Sequence, residues 1–115
     1  MSYKARQGDI LWLNLDPQAG HEQKGRRPVL VVSNNTFNEY VKTAAMICPI
    51  TSTDKGLEIH VRLNGNTKTR GVIMCDQAKI LDMYKRNAEF IETVPDAILF
   101  EVVDIISGIV EIEGT

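Results

Sequence analysis

Arg26-Arg27-Pro28-Val29-Leu30-Val31-Val32-Ser33 is the stretch on which the architecture of this 115-residue chain turns. Val29 to Val32 form a continuous apolar run rich in β-branched residues, the mark of a short strand buried on both faces. Pro28 removes a backbone donor and biases Arg27 towards an extended backbone. A guanidinium is thereby set at the rigid start of a core strand. Upstream lies a polar loop bounded by glycines, Gly20-His21-Glu22-Gln23-Lys24-Gly25, and before it Asp9 to Leu15, whose apolar residues at 11, 13 and 15 have the period of a half-buried strand.

Downstream, Ser33-Asn34-Asn35-Thr36 offers cap residues for a short helix through Tyr40. Thr43 to Ile50 reads as a further strand, followed by the hydroxyl-rich turn Thr51-Ser52-Thr53-Asp54-Lys55-Gly56. Leu57 to Leu63 alternates, with Ile59, Val61 and Leu63 on one face. Asn64-Gly65-Asn66 turns the chain into Gly71 to Cys75, and Ala78 to Leu81 supplies another short strand. After Pro95 the period changes: Ile98, Val102, Ile105 and Ile109 recur at helical spacing, with Leu99, Ile106 and Val110 widening the stripe. Pro95 and Asp96 suit a helix start. The expectation is a mainly β fold of five or six short antiparallel strands, with a short helix and a C-terminal helix as lid.

A chain of this length fits one domain, residues 1–115. Its 43% hydrophobic and 24% charged residues describe an ordinary globular protein. No apolar run is long enough to cross a bilayer, and residues 1–9 lack a leader's apolar core, so a cytoplasmic location is the default expectation. Cys48 and Cys75 lie inside apolar stretches and read as small core residues rather than a disulfide or a reactive thiol. With His21 and His60 the only histidines, and no paired metal-ligand spacing, neither a metal nor a cofactor is expected. The net charge of −2 conceals a division: residues 1–86 hold 13 basic and 8 acidic residues (+5), and residues 87–115 hold 7 acids and no base (−7). That division fits a local polyanion site beside an acidic helix, and equally an uneven solvated surface.

Three places could carry chemistry. Arg27 is a rigidly placed guanidinium, able to hold two phosphate oxygens as charge develops, although the residues alone favour a solvated basic turn. Thr51-Ser52-Thr53 puts hydroxyls at a strand end, where such residues also bond their own backbone. Asp76-Gln77 follows another apolar strand, placing an acid and an amide that could act as proton acceptor and base reader, and that read equally as a turn acid with an exposed amide. All three fall at strand ends, so one cleft could collect them.

The long block Leu15-Asp16-Pro17-Gln18-Ala19-Gly20-His21-Glu22-Gln23-Lys24-Gly25-Arg26-Arg27-Pro28-Val29-Leu30-Val31-Val32-Ser33, preceded by Gly8-Asp9-Ile10, resembles the MazF/PemK/Kid family of toxin endoribonucleases. Pro49-Ile50-Thr51-Ser52, Gly71 to Gln77, and Ile80 to Met83 fit its later blocks. The resemblance implies an SH3-like, CcdB/MazF-like antiparallel β-barrel paired as a homodimer. It implies a sequence-specific mRNA interferase that cuts single-stranded RNA without metal through 2′-hydroxyl attack, leaving 2′,3′-cyclic phosphate and 5′-hydroxyl ends. A MazE/PemI-like antitoxin would neutralise it.

Carried over by position, Arg27 stabilises the phosphorane, Thr51 binds the scissile phosphate, and His21 and Asp76 match the histidine and aspartate of the Kid branch's catalytic set. Glu22, Gln23, Lys24, Arg26, Ser52 and Gln77 are the expected substrate contacts. One departure stands out. The Kid-branch arginine two residues before the aspartate is Met74 here, which moves weight onto Arg27 and Thr51. A non-catalytic poison resembling the CcdB gyrase inhibitors would need no Arg–Thr cluster. A protein-binding SH3-like module would need an aromatic groove, and aromatics make up only 6% of the chain.

Overall fold

The structure is a computed structural model that describes residues 4–16 and 25–114; His21, Glu22, Gln23 and Lys24 of the expected site lie outside the described residues. Seven strands and two helices follow in the order β1 (Asp9–Asn14), β2 (Arg26–Val31), α1 (Asn35–Val41), β3 (Ala44–Thr51), β4 (His60–Arg62), β5 (Val72–Met74), β6 (Lys79–Asp82), β7 (Glu89–Thr93) and α2 (Asp96–Ile109). A single 3-10 turn, Cys75–Gln77, links β5 to β6. The mainly β, antiparallel architecture with a short and a C-terminal helix is the expected one. The strand count is higher by one, because Glu89–Thr93 forms a strand whose polar residues interrupt the apolar alternation.

The sheet runs β4-β5-β3-β2-β1-β7, with β6 attached to β3 off this path. It is not closed by a backbone ladder, so the barrel expected from the family resemblance is an open sheet. Burial alternates along the strands. Leu30, Val32, Cys48 and Ile50 belong to one core, covered by Ile98 and Val102 of α2. Leu11, Leu13, Val29, Val31 and Ile47 belong to a second core on the opposite face. A strand with both faces occupied has to be apolar at every position, which accounts for the uninterrupted run from Val29 to Val32. Asn34 caps α1, its side chain accepting a hydrogen bond from Phe37 N at 2.8 Å.

Strand β4 is shorter than the alternation from 57 to 63 suggested. A turn precedes it, with His60 N donating to Leu57 O and Gly56 N donating to Asp54 Oδ1 at 2.8 Å. Leu57 and Ile59 are left exposed. Strand β7 pairs with β1 through a register shift at Ile10/Leu11.

Glu92 of β7 binds the 63–71 connection across the open seam. Its carboxylate accepts from Lys68 N at 3.0 Å, from Thr69 N at 2.7 Å and from Thr69 Oγ1 at 2.7 Å. Burial works against ionisation of Glu92, but the Lys68 and Thr69 hydrogen bonds together outweigh it and hold the carboxyl below the ordinary 4.5. A lowered folded-state value stabilises the fold above the ordinary glutamate range, and that contribution is lost as pH falls through the folded value. Glu92→Gln should therefore cost about 1 kcal/mol at neutral pH. In urea titrations its midpoint should fall less steeply than the wild type's between about pH 5 and pH 3.

Candidate functional site

Strand β2 runs antiparallel to β3 in the register Val29↔Pro49, Leu30↔Cys48 and Val31↔Ile47. Continued by two residues, this register sets Arg27 opposite Thr51 on one face of the sheet. Strand β1 holds Arg27 from the other side, with Leu13 opposite it. The guanidinium and the hydroxyl therefore converge because of strand pairing.

The other edge of β3 receives β5 through Ile50↔Ile73 and Thr51↔Val72. Gly71, immediately before β5, approaches Thr51 so closely that a Cβ built there would lie 2.2 Å from the Thr51 carbonyl oxygen, and its φ of +120° is one that L side chains rarely adopt. Directly after β5, the 3-10 turn swings Asp76 and Gln77 back to the same end of the sheet.

These pieces line one cleft of about 480 Å³, formed by Arg27, Thr51, Ser52, Thr53, Lys55, Leu57, His60, Met74, Asp76 and Gln77. All three sequence-derived candidates, Arg27, Thr51 with Ser52, and Asp76 with Gln77, are in it. Thr51 is 8% exposed, and its Oγ1 accepts from Thr53 N at 3.2 Å. That bond occupies a lone pair and leaves the hydroxyl hydrogen for another acceptor. Arg26, expected with the substrate contacts, does not line the cleft. Alternation turns it away from Arg27, and its guanidinium donates to Asn87 O at 2.7 Å and to Glu89 Oε1 at 3.1 Å, tying β2 to the start of β7.

The sequence reading missed Lys55 and His60. Lys55 lies in the hydroxyl-rich turn, where nothing in the pattern marks it. His60 falls between Ile59 and Val61, so alternation puts it off the apolar face, the one available hint. Its Nε2 lies 2.8 Å from Asp76 Oδ1. An ionised carboxylate can only accept, so Nε2 carries the donated proton.

Cys48 and Cys75 are free and buried. Burial, reinforced by Cys75 and Asp76, pushes the Cys48 thiol far up. Burial and then the Asp76 charge push Cys75 up to about 11. Neither is an activated nucleophile, and both pack as small core residues. Among the described residues no three His, Cys, Asp or Glu side chains gather as a metal site, and no helix is long and apolar enough to cross a membrane.

Residues 6–110 match the family described as PemK-like, MazF-like toxin of type II toxin-antitoxin system. The chain is 39% identical over 106 residues to the endoribonuclease PemK of Escherichia coli, covering 89% of this chain and 79% of that protein. It is 37% identical over 87 residues to the endoribonuclease toxin MazF of E. coli K12, covering 75% and 76%. The crystal structure of Deinococcus radiodurans MazF superposes with a TM-score of 0.87 at 38% identity, over 94% of this chain and 97% of that one. A MazE–MazF structure from the same organism superposes with a TM-score of 0.80 at 38% identity, over 94% and 96%.

The packing of Gly71 on Thr51 gives a test of how the cleft is held. Gly71→Ala has to displace the Thr51 backbone and strain its own. It should lower stability by roughly 1–3 kcal/mol and displace the Thr51 hydroxyl. Thermal melts and a heteronuclear NMR spectrum should show shifts concentrated at 51–53 and 72, with the α1 resonances unmoved.

Proposed function

The chain belongs to the PemK-like, MazF-like toxins of type II toxin–antitoxin systems, and from that membership we propose that it is an endoribonuclease whose site is the Arg27–Thr51–Asp76 cleft. The observation that carries the reading is that one cleft collects a guanidinium, a strand-end hydroxyl pair, a carboxylate and an amide from three separate parts of the chain. The substrate is single-stranded RNA, usually mRNA, cut at a preferred sequence. Splayed bases in such a strand expose edges that side chains can read, and Gln77, with both a donor and an acceptor, is placed for that.

The chemistry follows from the groups present. The RNA 2′-oxygen attacks the adjacent phosphorus, and its proton passes to the Asp76 carboxylate. Charge accumulates on the non-bridging oxygens, where the Arg27 fork and the Thr51 hydroxyl meet it. The bond from phosphorus to the 5′-oxygen breaks, and the departing oxygen takes a proton from the cationic side of the cleft, Arg27 or Lys55. The products are a 2′,3′-cyclic phosphate and a 5′-hydroxyl. The reading invokes no metal: the Arg27 and Lys55 charges and the Thr51 hydroxyl of one cleft meet the developing negative charge. Residues 21–24, outside the described residues, belong to the reading through the family resemblance, His21 as a catalytic group and Glu22, Gln23 and Lys24 as RNA contacts.

A homodimer, an antitoxin of the MazE/PemI kind and a cytoplasmic location complete the reading. Phe100, Ile109 and Val110 of the α2 region stay exposed, apolar area of the sort that a partner copy or partner protein covers.

Purified protein incubated with a long single-stranded RNA and excess EDTA should give discrete cuts, mapped by primer extension, with cyclic phosphate ends. Arg27→Ala should lower the rate roughly a hundredfold to a thousandfold while leaving the melting temperature within a few degrees. Degradation that persists undiminished in Arg27→Ala would refute the assignment.

A further inference from the structure

Asp76 does not stand alone in the cleft. We propose that His60 is a positioning residue for the cleavage reaction, holding the Asp76 carboxylate so that its second oxygen faces the RNA 2′-hydroxyl. The inference rests on the ribonuclease reading given above.

Three observations carry it. The His60 side chain is 6% exposed while that of Asp76 is 38% exposed, so the ring backs the carboxylate and the carboxylate is the more open of the two to the cleft they both line. The Nε2–H of His60 donates to Asp76 Oδ1 at 2.8 Å, and Nδ1 is buried with no hydrogen-bond partner among the described residues. The ring is therefore oriented by one polar contact, and that contact is Asp76. Finally, β4 pairs with β5 in the register His60↔Met74, Val61↔Ile73 and Arg62↔Val72. Residues directly opposite in a ladder share a face. Met74, two residues before the aspartate, can offer it no strong donor, and the residue opposite Met74 supplies one.

Energetically, a carboxylate on a one-turn 3-10 element is weakly restrained by its own backbone. Fixing Oδ1 on a buried donor removes rotation about the Cβ–Cγ bond and presents Oδ2 in one direction, the preorganisation that proton transfer needs. His60 also lines a second cleft, with Asp54, Arg62 and Glu101. There Asp54 is engaged by Gly56 N and by the Arg62 guanidinium, so Asp76 is the acid that His60 serves.

The step balances without any further reagent. The 2′-O–H bond breaks and its proton moves to Asp76 Oδ2, the 2′-oxygen forms its bond to phosphorus, and the bond from phosphorus to the 5′-oxygen breaks as that oxygen takes a proton from Arg27 or Lys55 of the same cleft. His60 keeps its proton throughout.

The test uses the full chain and an RNA oligonucleotide spanning a cut mapped on wild-type digests. Wild-type cutting that depends on Arg27 establishes the ribonuclease reading by itself; its absence sinks that reading and not the His60 geometry alone. His60→Gln keeps a donor at the reach of Nε2, and its kcat should stay within about threefold of wild type. His60→Asn is chemically similar but one carbon too short, and its kcat should fall roughly tenfold or more with KM within about twofold. Asp76→Asn should fall roughly a hundredfold, and Asp76→Asn/His60→Asn should fall no further than Asp76→Asn within about twofold. Both His60 variants carry an amide, so melting temperatures compare them on equal terms. Losses from His60→Asn and Asp76→Asn that multiply in the double variant would overturn the proposal. So would a His60→Asn enzyme as fast as wild type, or a His60→Gln enzyme as slow as His60→Asn.

Discussion

Strand β3 is paired along both edges, and the cleft depends on that double pairing. One edge carries β2. The other is shared between β6 over residues 44–47 and β5 over residues 50–51. Thr51 is thus clamped at a three-strand junction, with Arg27 beside it on β2 and the 3-10 turn of Asp76 delivered by β5. Because side chains alternate with period two, a slip of one residue in either pairing would turn the guanidinium or the hydroxyl to the opposite face. The two cores resist that slip, since each strand has apolar side chains committed on both sides. The arrangement of the cleft is in this sense a by-product of core packing.

What could be read from the residues follows from how local each signal is. The double-faced strand, which ends at Val31, the helix cap among residues 33–36 and the helical stripe after Pro95 each rest on neighbours within one or two turns of chain, and each is present. Strand β7 escaped because Glu89, Glu92 and Thr93 break its apolar pattern, and those residues are polar for non-local reasons. Glu89 pairs with Arg26 and Glu92 binds the 68–69 backbone. Arg26 was grouped with Arg27 because they are adjacent in sequence, yet in a strand adjacency means opposite faces. His60 was invisible for the same reason in reverse: its partner Asp76 is sixteen residues away, across a ladder that only the fold defines.

The charge division takes a more particular form in three dimensions. The acidic segment 87–115 is not simply a solvated face. Three of its carboxylates have assigned places: Glu89 on Arg26, Glu92 across the open seam of the sheet, and Glu101 at the rim of the second cleft behind His60. The basic excess of residues 1–86 is partly spent on these contacts. What is left for a polyanion is concentrated by position, through Arg27 and Lys55 lining one cleft, and not by the net charge, which is negative.

Met74 stands where the family resemblance leads one to expect an arginine, and along the sequence nothing nearby compensates. Across the β4–β5 ladder the next position on the same face is His60, and it reaches the carboxylate that follows Met74 by two residues. Strand pairing makes such exchanges inexpensive in structural terms: a polar partner can move between opposite members of a register pair while the backbone, the cores and the cleft walls stay as they are. The position facing Met74 across the ladder thus holds a polar side chain in contact with Asp76, a neighbour that spacing along the chain does not reveal.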